Sequence, residues 1–144
     1  MKSNQKGFTL IELLAVIVIL AIIALIATPI VLNIINKARK SAAADSVYGV
    51  MEAMKLAYTE SMLETSYALP LVVEFTQDGN TMKQGDPATE IKDANDKNVT
   101  LKLSGTAPSS GSLTLKADGE FTATDLKVNT LTCTIGTDKK VSCS

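Results

Sequence analysis

From Leu13 to Leu32 the chain runs for twenty consecutive residues without a charge. As a helix rising about 1.5 Å per residue, this run spans about 30 Å, the thickness of the hydrocarbon core of a bilayer. It is apolar on every face, so it reads as a membrane-spanning segment rather than the half-buried helix of a globular domain. Beyond it the pattern changes. Val47, Val50, Met51, Met54, Tyr58 and Met62 recur at helical spacing, while Asp45, Glu52, Lys55, Glu60 and Glu64 take other faces. The helix is therefore expected to continue to about Thr65, apolar all round in its first half and along one stripe in its second. Pro29 interrupts it: its nitrogen has no proton for the carbonyl of Leu25 and its ring crowds that oxygen, so a kink or local opening is expected there.

After the segment SYALP the period falls to two. The stretches LVVEF, NVTLKL, SLTLKA, EFTAT and LTCTI are short, rich in Thr, Val and Leu, and separated by turn residues, which predicts antiparallel strands. Asp118-Gly119 is the strongest hairpin signal and suggests a type I′ turn. Between Thr76 and Asn98 apolar residues are few and Gly, Asp and Asn frequent, which predicts a long polar loop. The fold class is α+β, a long amino-terminal helix packed by its second half on a carboxy-terminal antiparallel sheet. No internal repeat is visible.

Composition narrows the chemistry. The 144 residues are 46% hydrophobic with a formal net charge of −1, and beyond Asn33 Lys alternates with Asp and Glu as in an ordinary water-exposed domain. Neither a nucleic acid nor another highly charged partner is implied. Lys2 and Lys6 flank one side of the apolar run and Lys37, Arg39 and Lys40 the other, so charge alone does not orient it, and the second cluster reads as a membrane-interface anchor. The polar residues before the run are too few for a secretory signal, and no A-x-A-like cleavage site closes it. The chain has no His, which excludes an imidazole metal site, and its two cysteines are too few for a structural zinc. Cys133 and Cys143, ten positions apart behind a membrane segment, read as one disulfide in a domain outside the cytoplasm; the competing reading is a pair of buried free thiols. Without His and without a G-x-S-x-G motif, no nucleophile and base pair stands out, so an enzyme and a bound cofactor are not expected.

One residue is out of place. Glu12 sits among Leu10, Ile11, Leu13 and Leu14. A carboxylate there either marks the headgroup level or needs a positive partner, because burying it unpaired costs several kcal/mol.

The stretch KGFTLIELLAVIVILAIIALIATP resembles the prepilin signal of bacterial type IV pilins and their relatives: a short basic leader ending in Gly, then Phe-Thr-Leu-Ile-Glu and an apolar helix with a Pro inside. The resemblance covers about the first thirty residues closely and the rest of the helix loosely. It implies a division into a leader at 1–7, a transmembrane and polymerisation helix at 8–32, an amphipathic continuation at 33–65, and a sheet domain of the pilin fold at 66–144. It further implies that a membrane-embedded prepilin peptidase cuts between Gly7 and Phe8 and methylates the new Phe8 amine. Glu12, with Pro29 an assembly residue, would then face the Phe8 amine of a neighbouring subunit. The leader would lie inside the cytoplasmic membrane and the domain outside. The implied function is a structural subunit, built by a membrane assembly platform into a homo-oligomeric surface filament. A pseudopilin of a type II secretion or competence DNA-uptake system shares every one of these residues, and a signal-anchored extracellular binding domain is the alternative of another class. Removing the leader takes Lys2 and Lys6 with it and makes the chain more acidic.

Two weaker motifs lie in the polar region. Asp93, Asp96 and Asn98 are spaced like part of a calcium loop, and some pseudopilins bind calcium beside their sheet; without the Gly and terminal Glu of an EF-hand, an ordinary polar turn is the stronger reading. Asn98-Val99-Thr100 matches a glycosylation sequon, a motif frequent by chance.

Overall fold

The computed structural model describes residues 7–64 and 66–144. One helix, α1 (Leu10–Glu64), is followed by seven strands: β1 (Leu71–Thr76), β2 (Gly79–Gln84), β3 (Thr89–Glu90), β4 (Ser110–Leu115), β5 (Phe121–Val128), β6 (Leu131–Ile135) and β7 (Val141–Cys143). The chain divides into two compact units, one ending at Ala38 and the other Arg39–Ser144.

In the first unit the large apolar side chains of the helix, from Leu10 to Ile35, are all exposed. Among the described residues this is the one helix long and apolar enough to cross a membrane. It contains Pro29 without interruption of the helical assignment, so the opening expected there does not break the element. One residue earlier, the Thr28 hydroxyl donates to the carbonyl of Ala24 at 2.7 Å, a back-bond common where a helix adjusts locally.

In the second unit the apolar stripe lies on the sheet. Ala43, Val47, Val50, Met51 and Met54 are buried and Tyr58 is half-buried, as their spacing requires. Met62 departs from the expectation, being exposed, and the buried position in the last turn is Ser61. The reason is that the helix ends there: Ser61 Oγ donates to the carbonyl of Tyr58 at 2.7 Å and accepts the amide of Tyr67 at 3.2 Å, and the Ser61 carbonyl accepts the amide of Ser66. A polar side chain at that position satisfies backbone groups that the helix end leaves open, which a methionine does not.

The sheet is antiparallel throughout, in the order β3-β2-β1-β4-β5-β6-β7. Its inner face supplies Leu71, Val73, Phe75, Met82, Leu113, Leu115, Phe121, Leu126 and Val128 to one core with the helix stripe. The strands expected at LVVEF, SLTLKA, EFTAT and LTCTI are β1, β4, β5 and β6. β5 runs past the expected end. Its inward positions switch from Phe121 and Ala123 to Leu126 and Val128, a change of parity absorbed by a bulge opposite Ser110–Ser112, where Asp125 and Gly111 both have positive φ. Gly111 is obligatory, because a Cβ there would collide with the backbone of Asp125 and Leu126.

Three expectations are corrected. The stretch from Thr76 to Asn98 is not one loop but holds β2 and β3, with β2 paired along its length to β1. β2 escapes a period-two search because only Met82 of its six residues is buried, so backbone pairing rather than a hydrophobic face defines it. NVTLKL, conversely, is not a ladder strand. Leu101 is buried and Val99 half-buried, but Val99 exchanges backbone bonds with Ile91 and Met82, and the Asn80 side chain grips both the amide and the carbonyl of Leu101 at 2.6 and 3.1 Å. The carboxamide of Asn80 stands in for a neighbouring strand. Finally, Asp118-Gly119 forms a hairpin of another type. Lys116 and Glu120 close a three-residue loop in which Gly119 alone has positive φ, and Asp118 Oδ1 accepts the amide of Glu120. The β6–β7 hairpin repeats the device, with Gly136 bonded to Lys140, Lys139 at positive φ, and Asp138 Oδ1 accepting the amide of Lys140.

Candidate functional site

The amino end of α1 is built from Gly7, Phe8, Thr9 and Glu12. Thr9 is the N-cap of a helix that starts at Leu10. Its amide and its hydroxyl both donate to Glu12 Oε2, at 2.8 and 2.7 Å, while the amide of Glu12 reaches the Thr9 hydroxyl at 3.4 Å. This is a capping box, in which a Thr and a Glu three residues later satisfy each other's backbone donors. The sequence carries the signature of this box, T-x-x-E, which gives Glu12 a local partner besides the positive one its apolar neighbours call for. Glu12 therefore has a local role in a single chain, a role that engages one of its two oxygens. Phe8 is 90% exposed, and a side chain added at Gly7 would meet nothing within 4 Å. Gly7 and Phe8 lie outside regular secondary structure, immediately ahead of the capped helix. Lys2 and Lys6 of the expected leader lie outside the described residues.

Residues 2–28 match the family model of the prokaryotic N-terminal methylation motif. The chain carries a type IV prepilin signature. No curated protein and no solved structure matches the chain. The prepilin signature indicates a type IV pilin-like precursor, implies processing by prepilin peptidase, and fits, together with the exposed apolar helix, a membrane-anchored protein. Pilin-like proteins are a family of structural subunits.

The remaining expected sites lie elsewhere. Cys133 and Cys143 are bonded to each other and both are buried. They face each other across the β6–β7 ladder, between Thr132 and Ser144, which exchange both backbone bonds, and Thr134 opposite Ser142. Theirs is thus a non-hydrogen-bonded pair, the position where opposed side chains come closest in an antiparallel sheet. The next bond along also ties this hairpin to the helix: the amide of Val141 donates to the Tyr48 hydroxyl at 2.9 Å.

Asp93, Asp96 and Asn98 are engaged in a turn. Asp93 Oδ1 accepts the amides of Asn95 and Lys97, at 2.8 and 2.9 Å, and Asp96 pairs with Lys92 at 2.9 Å. Asn98 bridges to Lys92 through its backbone. The backbone bonds from Lys97 and then Asn95 hold the Asp93 carboxyl below its ordinary range. Among the described residues no group of three His, Cys, Asp or Glu side chains converges to hold a metal ion.

Proposed function

We propose that this chain is the structural subunit of a type IV pilus, cut between Gly7 and Phe8, methylated at Phe8 and polymerised through residues 8–32 into a surface filament. The observation that carries the reading is the prepilin signature on a helix whose apolar side chains are exposed all round. Such a surface is stable in lipid, and it stays dry when lipid is exchanged for the helices of other subunits. The buried disulfide that staples the last hairpin supports exposure of the domain to an oxidising exterior, as a surface filament requires.

Assembly in this scheme uses both oxygens of Glu12. Oε2 keeps the helix end closed against Thr9, and Oε1 receives the Phe8 ammonium of a neighbour. A subunit added in the wrong register leaves that charge unpaired in an apolar core, so the pair selects register. Pro29, flanked by the Thr28 back-bond, supplies the place where the packed helix adapts to its neighbours.

Intact-mass measurement on sheared surface filaments tests the whole reading. The expected species begins at methylated Phe8. Filaments built of chains that retain Met1, or a surface free of filaments containing this protein, would overturn it.

A further inference from the structure

The segment from Asn98 to Leu103 alternates like a strand, yet it uses only part of its backbone. Val99 bonds to Ile91 and Met82, and Leu101 is held at both its amide and its carbonyl by the Asn80 side chain. In extended chain, successive peptide groups point to opposite sides. Thr100 and Lys102 therefore turn their amides and carbonyls away from β2, and among the described residues nothing bonds to them there. Both residues are exposed. Open donors and acceptors along extended backbone are a template for a further strand.

Thr100 and Lys102 also line a groove of about 540 Å³ whose other wall is the last turns of α1. From the helix come Ala53, Ala57, Glu60 and Glu64, which at 3.6 residues per turn fall within about 60° of one another. The two alanines leave room beside them, and buried Met82 and Leu101 add apolar surface. Charge in the groove is unbalanced. Glu60 and Glu64 stand four residues apart, where like charges repel, at the negative end of a helix whose last turn holds no basic residue. Neither has an ion pair among the described residues, and the one cation lining the groove is Lys102 on the opposite wall.

We propose that this groove binds an extended segment of a partner polypeptide, which adds a strand along Thr100 and Lys102, lays an apolar side chain over Ala53 and Ala57, and sets a Lys or Arg between Glu60 and Glu64. Backbone bonds hold such a segment whatever its sequence; the groove and the two carboxylates select an apolar and basic one. A cation arriving there relieves both the repulsion between the acids and their conflict with the helix end. The groove lies wholly within the second unit, so its use does not depend on polymerisation through the first.

The test uses the full chain in nonionic detergent and a short peptide, blocked at both ends, in which Val alternates with Lys. Saturating peptide is expected to slow amide exchange at Thr100 and Lys102 about ten-fold or more while the helix amides keep their rates. Methylating the peptide's backbone nitrogens should abolish that protection, and replacing its Lys by Glu should abolish binding. Glu60→Gln with Glu64→Gln, two exposed positions, should keep the denaturation midpoint and weaken binding of the Val-Lys peptide about ten-fold at low salt. Unchanged exchange at Thr100 and Lys102 under millimolar peptide, equal binding of the methylated or Glu-bearing peptide, or undiminished affinity in the Gln variant would overturn the proposal. Protection of the same two amides in the chain alone, growing with its concentration, would assign the edge to a second copy and overturn the partner reading.

Discussion

Glu12 holds two jobs that a single substitution confounds. Its carboxylate caps α1 through Thr9, and in the proposed filament it meets a neighbour's amine. Glu12→Ala removes both, whereas Glu12→Gln keeps a capping-box residue at the same position and removes only the charge. Thr9→Ala does the reverse. Loss of the ion pair leaves an ammonium unpaired in an apolar core, a penalty of about 3 to 5 kcal/mol, against about 1 kcal/mol for the cap. Filament yield from sheared cells should therefore collapse for both Glu12 variants and fall only modestly for Thr9→Ala, with all three cleaved and resident in the membrane. Equal yields from Glu12→Gln and wild type would leave Glu12 a capping residue and no more. Gly7 is different again: the chain has open space there, so Gly7→Arg should leave folding unchanged and block cleavage, seen as uncut precursor by mass.

At the scale of elements, the sheet depends on two local devices. The disulfide closes a hairpin whose cysteines are ten residues apart, and in the chain-entropy account a loop of this length contributes about 2 to 4 kcal/mol. Cys133→Ser with Cys143→Ser should lower the denaturation midpoint of the full chain in detergent accordingly, with β7 losing amide-exchange protection first. The bulge between β4 and β5 depends on Gly111. Gly111→Ala forces a side chain into the backbone of Asp125 at a positive φ and should cost about 1 to 3 kcal/mol, read from the same denaturation curves. The Asp93 turn responds to pH. A carboxyl held below its ordinary value stabilises the fold above the unfolded value, about 3.9, and that contribution disappears as pH falls through the lower folded value. Protection of the Asn95 and Lys97 amides, measured against their intrinsic exchange rates at each pH, should fall below about pH 4 and hold at neutrality.

For the molecule as a whole, only one face of the helix contributes to the stability of the domain. Met54 is fully buried, and Met54→Ala should destabilise the domain by about 2 to 5 kcal/mol. Leu56, two residues on, faces away from the sheet and is exposed, so Leu56→Gln should leave the denaturation midpoint nearly unchanged. If both substitutions acted alike on stability, the outward face would have to be packed within the subunit, contrary to its exposure.

The α+β class, the long helix, its sheet-facing stripe and four of the strands were legible in the sequence, because each rests on a periodicity that neighbouring residues set by themselves. The prepilin signature was legible too, as a short motif at fixed spacing. What the sequence did not disclose depends on partners distant in the chain. β2 exists because β1 offers it a full register of backbone bonds, although its own side chains are mostly polar. The segment from Asn98 to Leu103 alternates like a strand yet finds its partners in Asn80, Met82 and Ile91 instead of a ladder. Ser61 replaces Met62 at the core because the chain turns away there and needs hydrogen-bonding groups. Local pattern fixes which way side chains alternate; only the folded sheet decides which backbone atoms find a partner, since that pairing is a long-range competition for hydrogen bonds.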